Sequence, residues 1–424
     1  MKFVLACYGT RGDAEPGVAL GRELLRRGHE VYMAVSPDLI DFTESAGLAA
    51  IAYGPDSQTA LARDFGANIS KDFPHDVWRI KDLIRLWREY WEFLTQCWLE
   101  MTTTLTTLAD GADVLITGML FEDGAANVAE CYGIPLATLH YFPQRANGQL
   151  STLLPSPLGR SAMTALWWLS RGVFGRLENA QRRQLGLPKA TGPAQRRITE
   201  RGALEIQAYE QVCFPGLATE WAKWDGQRPF VGALTLELPT DADDEVASWI
   251  AAGTPPIFFG FGSEAMESPA DTLAMVSAAC AQLGERALIG SGASNFSGIP
   301  HPENVKVLGS VNHAATFPAC RAVVHHGGAG TTAAGLRAGV PSLILWAAPE
   351  RAMWGASLKR LKVGASRRFS STTRESLVVD LRQILAPPYV ARARDIATRM
   401  TKSAESVGTT ADLVENLARL NRGS

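Results

Sequence analysis

The chain has 424 residues, 46% of them hydrophobic and 20% charged, which is enough for two globular domains of ordinary size. Its formal net charge of −2 and the lack of a long basic block argue against a nucleic-acid-binding surface. The six cysteines have no CxxC spacing, which argues against a zinc site or a disulfide framework and is typical of reduced thiols.

The N-terminal sequence MKFVLAC does not have the pattern of a targeting segment. It contains one lysine and a short apolar run, too short for the core of a signal peptide, and it is better interpreted as a first strand. No uninterrupted apolar stretch in the chain reaches the ~20 residues that span a bilayer. We therefore expect a cytoplasmic protein.

The first half alternates predicted strands with predicted helices. After the first strand, PGVALGRELLRRGH is an amphipathic helix with Pro16 in its first turn. Further strands are predicted at EVYMAVS, DVLITG (113–118) and PLATLHYF (135–142). This alternation predicts a parallel sheet covered by helices on both faces.

The alternation stops over 143–235, where a helical stretch runs from about Ala162 to Leu185, and then it resumes. The second set of predicted strands is PPIFFGFGS (255–263), RALIGSG (286–292), VKVLGS (305–310), RAVVHHGG and PSLILWA (341–347). Predicted helices include 266–284 and 331–338, and Thr372 and Glu375 have capping-box spacing. The sequence therefore predicts an α/β fold with two Rossmann-like, doubly wound parallel sheets, whose strand ends face a ligand-binding cleft.

One loop in the second half has the composition of an anion site. The strand RAVVHH is followed by the small residues Gly327 to Gly330, two threonines and a helical sequence. Glycines allow close approach and positive φ, and the N–H groups of such a turn and of a helix N-terminus bind anions. The loop lacks the lysine of a P-loop and is not a GxGxxG fingerprint. We interpret it as a site where backbone N–H groups and one histidine ring bind a diphosphate.

Two other interpretations of this loop stay open. Adjacent histidines on a strand point to opposite faces, whereas zinc needs three or four convergent ligands, so a metal site is disfavoured. The loop could instead be a left-handed turn with two hydrogen-bonded core histidines.

Two further loops follow predicted strands. FFGFGS places Gly260, Gly262 and Ser263 after a buried strand, although a simple glycine-rich turn would have the same sequence. In the first half, YGTRGDAEP connects the first strand to the first helix. Asp13 in this segment can cap the helix, but a carboxylate at the ends of the strands can also act as a general base.

Together, GTRGDAEP, FGFGS, VVHHGGAGTT and AGVP (338–341) resemble, in order and spacing, the motifs of inverting nucleotide-sugar glycosyltransferases with two Rossmann-like domains, the GT-B type. That group includes sterol and glycopeptide-antibiotic glycosyltransferases, and the likeness is strongest to actinobacterial (mycobacterial) glycopeptidolipid glycosyltransferases. The resemblance covers essentially the whole chain. It implies an N-terminal acceptor-binding domain over 1–220 and a C-terminal donor-binding domain over 221–424, with the final helix able to pack back on the N-terminal domain.

The resemblance assigns roles to the matching positions. Asp13 matches the base that deprotonates the acceptor hydroxyl, and Val311 matches the residue whose backbone pairs with a pyrimidine. The other donor-binding positions that it implies are Thr10, Arg11, Gly12, Ser263, His326, Gly328, Ala329, Gly330, Thr331, Glu350 and Arg351. The spacing to AGVP selects His326, and His325 becomes a packing or hydrogen-bonding neighbour. No metal or other cofactor is implied, and the co-substrate is a dTDP- or UDP-linked sugar.

The segment after AGVP departs from the family pattern. Where the family has an Asp-Gln pair that holds hydroxyls of the donor sugar, this chain has Glu350 and Arg351. Glutamate still accepts from hydroxyls, but arginine only donates and is bulkier than glutamine. We expect a pocket for a 6-deoxyhexose, such as rhamnose or 6-deoxytalose. Alternatively Arg351 turns outward, and the enzyme is a UDP-glucose-dependent sterol or lipid glucosyltransferase.

Aromatic residues in the first half are candidate acceptor contacts. A helical sequence at 83–101 carries apolar residues mostly on one face, among them Trp87 and Trp91, and His140 and Trp167 complete the candidate set. Ordinary packing against the sheet is the alternative role. Because the resemblance places the acceptor pocket in this half, we expect an apolar lipid or lipopeptide acceptor, and peripheral contact with the inner face of the plasma membrane would then follow.

Two other functional classes stay open. A nucleotide-sugar 2-epimerase shares the two-domain architecture but turns over its donor without an acceptor. An inactive sugar-nucleotide-binding protein would share the donor loop, although Asp13 argues against it. An NAD-dependent oxidoreductase is disfavoured, because GxGxxG and its downstream acid are missing.

Overall fold

The computed structural model describes residues 1–57, 80–150, 155–262, 266, 268–348 and 351–422. The chain forms two compact units, of which the first comprises Met1–Ala208, Leu217–Leu234 and Val407–Ser424, and the second Tyr209–Gly216 and Thr235–Ser406. The sequence prediction places one boundary after residue 220 and allows the final helix to return to the first domain. In the structure Tyr209–Gly216 belongs to the second unit, Leu217–Leu234 to the first, and the chain returns to the first unit from Val407.

The first unit is built on a six-stranded parallel sheet with the order β3-β2-β1-β4-β5-β6. Its strands are β1 Lys2–Cys7, β2 Glu30–Val35, β3 Ala50–Ala52, β4 Val114–Thr117, β5 Leu136–His140 and β6 Leu204–Gln207. Its helices are α1 Arg11–Arg26, α2 Ile40–Ser45, α3 Ile80–Ala109, α4 Glu122–Tyr132, α5 Ser156–Gln184, α6 Ala194–Glu200 and α7 Leu217–Glu220.

The second unit repeats this plan with the order β12-β11-β10-β7-β8-β9. Its strands are β7 Ile257–Gly260, β8 Ala287–Gly290, β9 Val305–Leu308, β10 Ala322–His325, β11 Ser342–Trp346 and β12 Gly364–Arg368. The helices that follow along the chain are α8 Asp243–Ala251, α9 Pro269–Leu283, α10 His313–Thr316, α11 Ala329–Arg337, α12 Ala352–Leu361, α13 Arg374–Ile384, α14 Pro387–Ala397 and α15 Ser403–Arg422. Apolar side chains of β7, such as Phe259, pack in one core with Val276 of α9 and Leu381 of α13.

The order of the strands reverses at the equivalent place in both sheets. In the first unit β1 pairs with both β2 and β4, and in the second β7 pairs with both β8 and β10. From β1 the chain adds strands toward one edge of the first sheet, and from β4 it adds them toward the other edge; the second sheet does the same from β7 and β10. A crevice therefore opens beyond the carboxyl ends of the strands where the order reverses. Ligands of doubly wound sheets bind at such switch points. The loops after β1, β7 and β10 therefore occupy the positions where function is expected.

The predicted fold class is confirmed, and the differences are local. β3, β6 and β12 are absent from the sequence prediction. β6, the edge strand, has the sequence LEIQ, and its Glu205 and Gln207 interrupt the apolar run by which a buried strand is recognised. The capping box of α13 lies at Thr373 and Ser376, one residue after the predicted pair. No helix among the described residues is long and apolar enough to cross a membrane.

Candidate active site

The loop after β10 in the second unit turns sharply into a helix. His325 ends β10, Gly327 has a φ of +97°, and Gly328 is the residue before α11. We call residues His326–Gly330 the glycine loop. On the neighbouring strand β7, Gly260 lies opposite His325, and Gly262 follows with a φ of +70°. The two predicted glycine-rich segments are thus side by side at the switch point of this sheet.

The ring of His326 lies between two of these glycines. A Cβ placed on Gly262 would lie 2.5 Å from Cε1 of His326, and one placed on Gly328 would lie 2.7 Å from its Nε2. Neither position can therefore hold a larger residue while the ring keeps this orientation. His326 is partly exposed, although its Nδ1 is buried and has no hydrogen-bond partner among the described residues. Part of the ring is therefore exposed to solvent, although this nitrogen is not.

His325 has a different environment. Its side chain is 0% exposed, and its Nδ1 accepts a hydrogen bond of 3.2 Å from the N–H of Gly327. This bond holds Gly327, the residue with positive φ, at the centre of the turn. His325 therefore supports the glycine loop from inside the protein, whereas His326 lies on its open side.

Both histidines are uncharged at neutral pH. Burial and the nearby Arg351 guanidinium lower the pKa of His326 to about 3, against the weaker effect of the Gly260 carbonyl. Burial is also the main reason that the pKa of His325 lies well below its usual range. A neutral imidazole keeps one N–H to donate. Arg351 supplies positive charge beside the loop, where its Cβ lies 3.1 Å from the point that a Cβ on Gly327 would occupy.

The N-terminus of α11 completes this arrangement. Ala329, Gly330 and Thr331 form the first turn of the helix, and Gly330 is exposed while the other two are partly exposed. The first N–H groups of an α-helix have no carbonyl partner within it, and the helix dipole places partial positive charge there. The arrangement therefore combines unpaired backbone donors, a neutral imidazole and a guanidinium, which suits an anion such as a diphosphate.

Of the other predicted donor-binding residues of this unit, the structure describes Val311 but not Ser263 or Glu350. Val311 is 8% exposed and lies after the edge strand β9, directly before Asn312, whose side chain accepts from the backbone of Ala314 and caps α10. Its side chain belongs to the apolar core, so only its backbone can face a ligand. Ser263 and Glu350 lie outside the described residues.

In the first unit, Asp13 lies at the switch point after β1. It is the third residue of α1, and its Oδ2 accepts from the backbone N–H of Thr10 at 2.8 Å and from Oγ1 of Thr10 at 2.9 Å. Gly9 has a φ of +125°, and a Cβ there would lie 2.5 Å from Oδ2. The loop is therefore shaped around the carboxylate. The capping role of Asp13 is present, and the partial exposure of its side chain leaves room for a reacting group.

The other predicted residues of this loop surround the start of α1. Gly12 is exposed. Arg11 forms an ion pair of 3.4 Å with Glu15, and its guanidinium lies 4.5 Å from the centre of the Phe42 ring. The side chain of Arg11 is thus oriented by neighbours in its own unit.

Sequence reasoning did not find Tyr141, which contacts Asp13. Its hydroxyl donates a hydrogen bond to Oδ1 of Asp13. Tyr141 directly follows β5, so its chain position at the carboxyl end of a central strand is the one signal that could have identified it.

The candidate acceptor residues have mixed environments. His140 is 0% exposed, and its Nε2 lies 3.0 Å from both Thr138 Oγ1 and Glu122 Oε1. An acceptor could reach it only if this network opened. Trp91 on α3 and Trp167 on α5 are partly exposed, and the side chain of Trp87 lies outside the described residues.

A buried charge cluster surrounds His140. Arg145 forms ion pairs with Glu122 at 2.6 Å and with Glu205 at 2.7 Å, and Arg228 pairs with Glu205 at 2.5 Å. Burial alone would raise the pKa of Glu122, but Arg145 and His140 hold it well below its usual range. The cluster therefore stays charged and fixes the ends of β5 and β6. Among the described residues, no group of three or more His, Cys, Asp or Glu side chains is placed to hold a metal ion.

Comparisons with known proteins agree with this geometry. Residues 3–148 match the glycosyltransferase family 28 N-terminal domain, and residues 274–420 match the erythromycin biosynthesis protein CIII-like C-terminal domain. The chain is 59% identical to an uncharacterized glycosyltransferase of Mycobacterium tuberculosis, over 100% of both chains. It is 25% identical to a sterol 3-beta-glucosyltransferase of Arabidopsis thaliana, over 94% of this chain and 65% of that protein.

Solved structures show the same fold. The structure of glycosyltransferase VinC in complex with DTDP superposes with a TM-score of 0.62 and 18% identity, and the match covers 99% of this chain and 100% of that one. Two six-stranded parallel sheets with flanking helices are the architecture of the GT-B type. The resemblance to glycosyltransferases of the GT-B type, inferred from the motifs, is confirmed, and so is the expectation of an enzyme. The chain belongs to the glycosyltransferases of the GT-B type.

Proposed function

We propose that the enzyme transfers a hexose from a dTDP- or UDP-sugar to a hydroxyl of an apolar acceptor, with inversion and without a metal ion. The observation that carries this proposal is the glycine loop, where Gly262 and Gly328 enclose the neutral ring of His326 beside Arg351. A diphosphate leaving group, which gains a further negative charge as the bond to C1 breaks, needs donors that are already in place when this charge develops. The loop, the helix N-terminus and the guanidinium supply such donors from the protein alone.

The nucleotide is proposed to lie along the carboxyl edge of the second sheet. The glycine loop would bind the diphosphate, together with Ser263, and the backbone of Val311 would pair with a pyrimidine. VinC, whose structure contains DTDP, supports a thymidine nucleotide for this chain by analogy.

The reaction follows from these assignments. The acceptor oxygen attacks C1 of the sugar while the bond from C1 to the diphosphate oxygen breaks, and Asp13 receives the acceptor's proton. The electron pair of the broken bond stays on the β-phosphate, where His326 and the α11 N-terminus stabilise it. One displacement at C1 inverts the anomeric centre.

The donor sugar is proposed to be a 6-deoxyhexose. Glu350 and Arg351 stand where related enzymes have an Asp-Gln pair for sugar hydroxyls. Arg351 directly precedes α12, and after burial its charge is the next cause that lowers the pKa of His326. A guanidinium close to the loop supports an inward-facing arginine rather than one that turns outward. A glucose-specific site is the second candidate, and the similarity to an Arabidopsis sterol 3-beta-glucosyltransferase favours it.

The acceptor is proposed to be a glycopeptidolipid or another lipid-linked aglycone. The first part of α5 exposes several large apolar side chains, namely Leu158, Leu166, Trp168, Leu169 and Phe174. No acidic residue lies between 156 and 177, and three arginines do. Exposed apolar side chains of this kind suit a lipid acceptor, and Arg171 and Arg176 on the same helix suit peripheral contact with an anionic membrane surface.

The test of the proposed chemistry is Asp13→Asn. We expect turnover to fall by about 10²–10⁴-fold, the usual contribution of a general base, with nucleotide affinity unchanged because the base acts on the acceptor. Turnover is measured with an apolar acceptor and nucleotide affinity by calorimetry. Asp38→Asn, which removes another loop carboxylate of the first unit, is the control. An Asp13→Asn enzyme that keeps more than about a tenth of wild-type kcat would leave Asp13 as a helix cap only.

A further inference from the structure

Both oxygens of the Asp13 carboxylate have donors in the first unit, and they come from different elements. Thr10 at the start of α1 donates twice to Oδ2. The Tyr141 hydroxyl, from the chain just after β5, donates to Oδ1. The sheet order β1-β4-β5 brings these two segments to the same edge although 128 residues separate them.

We propose that Tyr141 is a positioning residue for the base, whose hydrogen bond to Oδ1 fixes the direction in which the Asp13 carboxylate meets the acceptor hydroxyl. This inference rests on the proposed role of Asp13. The helix cap needs only Oδ2, so the bond to Oδ1 adds nothing to capping. Each carboxylate oxygen has two lone pairs, so Oδ1 can still accept from an acceptor hydroxyl in a fixed direction.

In the hydrogen bond between Tyr141 and Asp13, the phenol is the donor and the carboxylate is the acceptor. Burial and the nearby Asp13 raise the pKa of Tyr141 well above its ordinary value, so the phenol stays protonated and donates. Among the described residues, Cys7 on β1 is a further titratable group that interacts with the Asp13 carboxylate. Burial raises the pKa of Cys7 to about 12, so its thiol stays neutral. Tyr141 is thus a neutral donor to Oδ1, as Thr10 is to Oδ2.

The test is Tyr141→Phe, which removes one hydroxyl and keeps the ring. A hydrogen bond donated to a carboxylate stabilises its charged form, so losing the bond makes protonation easier. The acidic limb of the kcat/KM profile should therefore move to higher pH by about one unit, the shift that corresponds to a hydrogen bond to a charged group. Below the limb, kcat/KM should be about tenfold lower than in the wild type, while nucleotide affinity is unchanged.

Tyr32→Phe is the matched control, because it removes a phenol–carboxylate bond of 2.7 Å to Glu30 elsewhere in the same unit. Its pH profile should equal that of the wild type. The position of the limb does not depend on how much enzyme is folded, so a lower melting temperature of Tyr141→Phe would not obscure the result. An acidic limb that stays in place in Tyr141→Phe overturns the inference. If the limb of Tyr141→Phe stays in place but Asp13→Asn is inactive in the same assay, the proposed role of Asp13 as the base still stands. An active Asp13→Asn would contradict both the role of Asp13 as the base and the role of Tyr141.

Discussion

Two adjacent histidines differ in what they can do, because one is enclosed by protein and the other faces the open side of the loop. We expect His326→Ala to weaken dTDP or UDP binding by about 10- to 100-fold, since a hydrogen bond to a charged phosphate contributes roughly 1.5–3 kcal/mol. His325→Ala should instead lower the melting temperature, because it empties a buried site and releases the N–H of Gly327. Calorimetric titration and thermal unfolding of the two variants measure these effects.

The variants His326→Ala and His325→Ala serve as controls for each other. Both variants remove an imidazole from consecutive positions, so a general effect of losing a histidine would appear in both. Equal losses of nucleotide affinity would contradict the assignment of the ligand-binding role to His326.

Spacing distinguishes the two histidines in the sequence, but it cannot reveal Tyr141. The choice of His326 depends on nearby glycines, which are local in the chain. The partner of Tyr141 is 128 residues away, and its sequence neighbour His140 is equally prominent in the segment LHYF. Alternation along the strand sends His140 into the buried charge cluster and leaves Tyr141 at the edge, and a single sequence does not specify which of the two faces the ligand.

At the scale of the element, the glycine loop depends on the neighbouring strand for its shape. We expect Gly262→Ala to displace the ring of His326, because a Cβ there would lie 2.5 Å from Cε1. Nucleotide affinity should then fall about as far as in His326→Ala, by roughly 10-fold or more. Affinity is measured by calorimetry on folded protein.

Gly284→Ala is the matched variant. Gly284 has a φ of +69°, close to that of Gly262, but a Cβ on Gly284 would meet no described atom within 4 Å. Both substitutions therefore cost about 1 kcal/mol of stability for a left-handed alanine, and only Gly262→Ala should lose affinity. Loss of affinity in both, or in neither, would show that contact with His326 is not the reason for the glycine.

The elements that sequence reasoning predicted are those with strong local signals. β1, β7 and β10 have apolar runs that end in glycine-containing turns, α1 has an amphipathic pattern, and the structure contains all four. β12 has the sequence GASRR at the edge of its sheet, where a strand carries charge and lacks an apolar run. Its pairing with β11 comes from tertiary contacts, which no local pattern specifies.

At the scale of the whole molecule, we expect Glu350 and Arg351 of the second unit to determine together which donor sugar the enzyme uses. We expect the wild type to use a dTDP-6-deoxyhexose with kcat/KM roughly 10- to 100-fold above that for UDP-glucose, because a site without the expected partner for a hydroxyl rejects that sugar. The double variant Glu350→Asp, Arg351→Gln should shift this ratio toward glucose. Donor hydrolysis and transfer are measured side by side.

Including dTDP-glucose and a UDP-6-deoxyhexose in the same assay distinguishes the effect of the nucleotide on kcat/KM from the effect of the sugar. A wild-type preference for UDP-glucose would contradict the 6-deoxyhexose proposal and favour the glucosyltransferase alternative.

The division of the chain also bears on how such enzymes could be recombined. Most of the second unit is one continuous stretch, Thr235–Ser406, and the chain returns to the first unit from Val407 onward. Within the first unit, Arg27 pairs with Asp412 at 2.6 Å, and Arg422 with Asp113 at 2.6 Å. A chimera made by joining two halves at one point would give its first unit a foreign C-terminal segment and replace these ion-pair partners.

Grafting the stretch as an internal insert avoids that exchange, because the host keeps its own C-terminal segment. A short segment, Tyr209–Gly216, has to accompany the insert, since it belongs to the second unit. There Cys213 accepts a hydrogen bond of 2.8 Å from Ser357, and Glu210 pairs with Arg337 at 3.3 Å. Donor specificity should therefore be transferable between homologues as a two-piece cassette, with two junctions around each piece.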